Sequence, residues 1–182
     1  MPRRQTVELH DTERPPSTAY ELLSESSTEL VATAGDCLLV IVRKTLSTAG
    51  VSAIQRGFEQ LERDHKRVGY LSYIDGDCCT LMEASARGLM THVVRRHTRR
   101  IAVAAIVVGG EGLRAAVVRR ILTGIHLASG AEHPMRPFGM LEPALDWYEM
   151  TWPERALPRA DLRNALLELH PGCPTTASLR DF

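Results

Sequence analysis

Aromatic side chains are scarce in this chain: two Trp, four Tyr and three Phe make up 5% of 182 residues. So few leave no basis for a single-strand nucleic-acid platform, which stacks bases on interleaved aromatics. Net charge is missing too. Lys plus Arg and Asp plus Glu each total 22, a balance that argues against a dedicated nucleic-acid binder. Lysine is nearly absent, with only Lys44 and Lys66 among the basic residues; we read that skew as a GC-rich genome rather than as chemistry. No apolar run approaches the ~20 residues of a membrane span. The longest, Ile101 to Val108, is strand-sized. No basic residue followed by an apolar stretch opens the sequence, so no secretory leader is expected.

Cysteine is also sparse: Cys37, Cys78, Cys79 and Cys173. A disulfide framework uses more of them over a weaker core. Adjacent Cys78 and Cys79 are poorly placed to bridge each other. There is no CxxC and no Cys/His set with zinc spacing. The expectation is a cytoplasmic protein with free thiols, no metal and no cofactor.

What is present is a hydrophobic content of 44%, too high for a disordered chain and enough for a real core at this length. Residues 1–27 are polar and read as a flexible arm with one helical turn near Tyr20 to Leu23. Runs at 28–34 and 37–43 are β-prone, with Gly35-Asp36 as a hairpin turn. Val51, Ile54, Phe58 and Leu61 form one stripe of an amphipathic helix over 51–66. A strand over 68–74 ends at Asp75-Gly76-Asp77. A helix is expected over 79–97, capped by Asp77, and a charge-free strand over 101–108. Leu113, Val117, Ile121 and Ile125 mark a third helix. A short edge strand follows at 134–139, since Pro fits poorly inside a sheet. Leu141, Ala144, Leu145 and Tyr148 mark a fourth helix, and Asp161 is positioned to cap a fifth. Alternating strands and helices imply an α/β fold: a mostly parallel sheet of four to five strands with flanking helices and a C-terminal helical extension. The expected division is an arm at 1–27, a domain at 28–150 and an extension with a short helix and tail at 151–182.

At this point the sequence resembles a family. The hairpin-like start, the helix at 51–66 and the strand ending in Tyr73-Ile74-Asp75-Gly76 look like the STAS fold, typified by bacterial anti-sigma-factor antagonists of the SpoIIAA type. Arg136-Pro137-Phe138-Gly139, then Leu141-Glu142-Pro143-Ala144-Leu145-Asp146-Trp147, is similar to that family's closing strand and helix. The resemblance covers about 28–150. It implies a regulatory protein without catalysis that acts through protein–protein contacts. The family's phosphoacceptor turn is Asp-Ser-(Ser/Thr)-Gly; here Asp75 matches, and Gly76 stands where the Ser belongs, so no phosphorylation is expected.

The candidate interaction site is the turn Asp75, Gly76, Asp77, Cys78 and Thr80, at a strand's carboxyl end where open α/β sheets place ligands. An ordinary strand-to-helix turn is the bland alternative. The other candidate is the basic segment Arg95, Arg96, Arg99 and Arg100, with Arg87, His92 and His97 beside it and Arg114, Arg119 and Arg120 on the next helix. Its bland alternative is a solvated helix face whose cations suit the C-terminal dipole. Gly109-Gly110-Glu111-Gly112 precedes a helix but lacks the P-loop lysine and hydroxyl, so it reads as a tight turn. Partner expectations are an unidentified protein, with self-association through Trp147, Tyr148, Met150 and Trp152 as a further option. The competing readings are a small-ligand protein or enzyme using residues 75–80, and a basic adaptor for nucleic acid or anionic membrane.

Overall fold

The uncharged runs named above become the middle of a sheet. The computed structural model describes residues 20–76, 78, 82–110 and 113–173, without the side chains of residues 113, 114, 116 and 119. Its strands are β1 (Tyr20–Glu25), β2 (Glu29–Ala34), β3 (Cys37–Val42), β4 (Val68–Ile74), β5 (Ile101–Val108) and β6 (Met135–Phe138). Its helices are α1 (Thr48–Asp64), α2 (Ala84–His97), α3 (Leu113–Ser129), α4 (Leu141–Thr151) and α5 (Arg159–Leu169).

The six strands lie in the order β1-β2-β3-β4-β5-β6. β1–β2 and β2–β3 are antiparallel; β3–β4, β4–β5 and β5–β6 are parallel. The α/β class expected from the sequence is therefore right, and two details of it are corrected. The sheet is mixed, and it has six strands rather than four to five. The added strand is β1, where a flexible arm with a helical turn was expected. Its polar ends and half-buried, non-alternating pattern hide it, because a bulge between Leu22 and Ser24 breaks the two-residue period.

Alternation in the central strands sends side chains to two cores. Leu38, Val40, Val42, Tyr70 and Ile74 pack with α1, α2 and α3. Leu39, Ile41, Leu71, Tyr73 and Val107 pack with α4 and α5. The helix α5, expected as an appendage, joins this second core through Leu162, Ala165, Leu166 and Leu169. Arg159 and Arg163 of α5 pair with Glu142 of α4. The cap of α5 is Pro158, and Asp161, expected as the cap, lies three residues further on in the first turn.

Two further corrections concern ends and faces. α2 begins at Ala84 with Glu83 as its cap residue, not at Cys79 with Asp77 as cap. A parallel bridge between Leu46 and Met82, with Glu83 N–H donating to the Leu46 carbonyl at 3.2 Å, holds Met82 and Glu83 outside the helix. The second correction is to the self-association patch. Tyr148 and Trp152 are buried, Trp147 is half-buried against Phe138, and Met150, 75% exposed, is the one fully exposed member. Gly69, through its missing Cβ, gives the Tyr148 phenol its place over β4.

Candidate functional site

Three chain segments leave the carboxyl ends of β3, β4 and β5 side by side, and backbone bonds tie them. Asp75 N–H donates to the Val42 carbonyl at 2.8 Å, and Gly109 N–H donates to the Ile74 carbonyl at 2.8 Å. Cys78 N–H closes a turn on the Asp75 carbonyl at 3.0 Å. The Cys78 thiol donates to the Lys44 carbonyl at 2.9 Å. The turn at 75–78 is thus bound to its neighbours on both sides.

The approach of the two later loops is closer than side chains allow. A Cβ on Gly76 would lie 2.9 Å from both Cα and N of Gly110, nearer than real carbon contacts come. Gly110 itself has φ of +75°, a region glycine enters at little cost. Gly109 is closed off by Tyr73, whose hydroxyl would meet a Cβ there at 2.6 Å. So the Gly at position 76 serves packing, because its missing Cβ makes the seam between the loops.

Around this seam stand Asp75, Tyr73, His170 and Arg43. The His170 ring lies 4.6 Å from that of Tyr73, tilted by 32°. Burial lowers the His170 pKa, while the Asp75 carboxylate raises it and Arg43 lowers it further. Both charges therefore act on this imidazole. Arg43 also reaches Glu25 at 3.3 Å and the Ser26 carbonyl at 3.1 Å, which fixes it to the β1–β2 turn. Sequence reasoning missed His170, because it follows α5, far along the chain from Asp75. Among the described residues no group of three metal-ligating side chains is found. Asp77 and Thr80 of the expected site lie outside the described residues, as do Cys79, Glu111 and Gly112.

No family model and no curated protein matches the chain. The chain is similar to a solved structure described as an uncharacterized protein from DUF3478 family with a SpoIIAA-like fold from Shewanella loihica PV-4. Its TM-score is 0.46 and its identity 15%, over 71% of this chain and 91% of that one.

The basic segment lies at the opposite edge of the sheet from Asp75, since α2 runs back beneath it. Much of its charge is used internally. Arg100 donates to the Glu62 and His65 carbonyls at 2.7 and 3.0 Å, and so closes the end of α1. Arg95 donates to the Ala128 carbonyl at 3.0 Å. Arg96 pairs with Glu59 at 3.3 Å. Arg99 is exposed. The Arg114 and Arg119 side chains are outside the described residues. His97 is buried against Phe58, ring to ring at 5.2 Å, with Nδ1 on Glu62 at 2.8 Å.

Cys37 and Cys173 are free thiols, and both are buried, as is Cys78. Burial pushes Cys37 and Cys173 up to about 12. No described helix is long and apolar enough to cross a membrane.

Proposed function

We propose that this chain is a noncatalytic, STAS-like regulatory or scaffolding module whose protein partner reads the carboxyl edge of the sheet, around Asp75, Gly76, Asp77, Cys78 and Thr80. The observation that supports it most is the seam of Gly76 against Gly109 and Gly110, which joins the loops after β4 and β5 into one surface. Asp75, His170 and Arg43 give that surface mixed charge for a partner to match. A nucleophilic role for Cys37 and Cys173 has little support, because a thiol near 12 is protonated at neutral pH. The reading takes residues 20–150 together with α5 as one body, and places the protein in the cytoplasm with its thiols reduced.

The basic-adaptor reading loses support from the internal bonds of Arg95, Arg96 and Arg100. The experiment is affinity capture of a native partner with the full chain, repeated with Asp75→Ala, Asp77→Ala and Arg99→Ala. Loss of the partner with the two aspartate variants and retention with Arg99→Ala supports the edge. Indifference to both aspartate changes overturns it.

A further inference from the structure

The core beneath α2 and α3 is not filled. A cavity of about 60 Å³ lies between these helices and the sheet, where interiors otherwise pack like organic crystals. It follows β4. Ile74, at that strand's end, lines it, and so does Ile101, which pairs with Val68 at the strand's start. Seven residues of strand span roughly 20 Å, so the space is long and narrow. Neither Asp75 nor Cys78 lines it.

Its two ends differ. At one end Leu46 and Met82 are buried and shut it with apolar groups. At the other, half-buried Leu122, His126 and Met135 bring it to the surface. Polar atoms occur at two places. Midway, the Tyr70 hydroxyl is satisfied by Ser72. At the mouth, His126 and His133 meet edge to face, with ring centroids 5.1 Å apart. Nδ1 of His133 bonds Thr98 Oγ1 at 3.1 Å. That leaves Nε2 as the nitrogen available to a guest, among the described residues.

The head of that guest is constrained as well. Burial drives His133 down to about 4 and lowers His126, so both imidazoles are neutral near pH 7. The mouth also lies at the last turn of α3, whose carbonyls carry partial negative charge. Neutral rings beside a helix C-terminus suit a hydroxyl or similar uncharged group better than an anion.

We propose that this cavity is a binding site for an uncharged straight-chain amphiphile, its chain along β4 and its polar head between His126 and His133. This site is separate from the edge at Asp75 and does not depend on the function proposed above.

The test uses the full chain with methyl-labelled Met and Ile, titrated with millimolar 1-hexanol and, in parallel, with hexanoate. The expected result is saturable shifts of the Met82, Met90, Met135 and Ile125 methyls with hexanol. The methyl of exposed Met150 stays still, and hexanoate binds at least about tenfold more weakly. Ala104→Ile adds three carbons to the cavity wall and abolishes the hexanol shifts in a protein whose other methyl signals are retained. His133→Leu keeps the cavity and weakens binding about fivefold, as loss of one hydrogen bond does. Absence of saturable shifts in the unsubstituted protein overturns the proposal. So do equal binding of hexanoate and undiminished binding by Ala104→Ile. Should Ala104→Ile fail to fold, the hexanol–hexanoate contrast and His133→Leu decide the question alone.

Discussion

Gly69 stands where the Tyr148 phenol crosses β4, and that one missing carbon sets how α4 lies on the sheet. A Cβ at Gly69 would fall 1.6 Å from the Tyr148 hydroxyl oxygen and 2.9 Å from the Trp152 ring. Gly69→Ala is therefore expected to cost about 3 kcal/mol, at the upper end of overpacking changes, read as a lower midpoint in urea unfolding. The same phenol donates to Cys37 Sγ at 3.2 Å. Burial holds the Tyr148 hydroxyl and the Cys37 thiol far above their ordinary pKa values. Cys37 and Cys173 should accordingly resist a maleimide at pH 8 in the folded protein and react once urea unfolds it, as peptide mass mapping would record.

At the scale of elements, α1 shows how a buried acidic side chain is accommodated. Ser47 caps the helix, accepting from Gly50 N–H at 3.1 Å, and its hydroxyl donates to Glu29 Oε1 at 2.7 Å. Thr28 donates to the other Glu29 oxygen. Ser47→Ala removes a cap and one of these bonds to a buried carboxylate. The expected loss is about 2 kcal/mol, the upper end for caps, whereas Ser52→Ala, in the exposed part of α1, should change the urea midpoint little.

Elements were legible wherever local pattern and tertiary role agree. Cys37–Val42 and Ile101–Val108 carry no charge because both faces of the sheet are covered, and they read as central strands. The stripe Val51, Ile54, Phe58 and Leu61 read as α1 because one helix face carries the core. Two elements were not legible for the same physical reason: partners distant in sequence decide them. β1 is a strand because β2 offers an edge, although Tyr20–Glu25 has polar ends and a bulge. The start of α2 is delayed to Ala84 because Met82 bridges Leu46 and enters the core, which no local cap signal reports.

On the scale of the whole molecule, balanced charge conceals an uneven response to acid. His133, His126 and His170 are all held below the ordinary histidine value by burial, His133 to about 4. The unfolded chain takes up protons below about 6.5, while folded His133 does so only near 4. Unfolding thus binds protons in that window, and stability falls as pH drops through it. A thermal melt series from pH 7 to pH 4 should show Tm declining, with a shallower decline in His133→Gln. The candidate site was legible at this scale only in part. Asp75 and Gly76 lie at the strand end as expected, but the sequence could show neither the contact of Gly76 with Gly110 nor the arrival of His170. Of the arginines in the basic segment, three serve the protein's own backbone or an adjacent carboxylate.

Under the proposed function a partner protein covers the carboxyl edge of the sheet. Hydrogen exchange of the captured complex against the free protein tests it directly. Slower exchange is expected over residues 75–78, 109–110 and 170, with residues 95–100 unchanged. Protection over 95–100, with those edge segments exchanging as in the free chain, would contradict it.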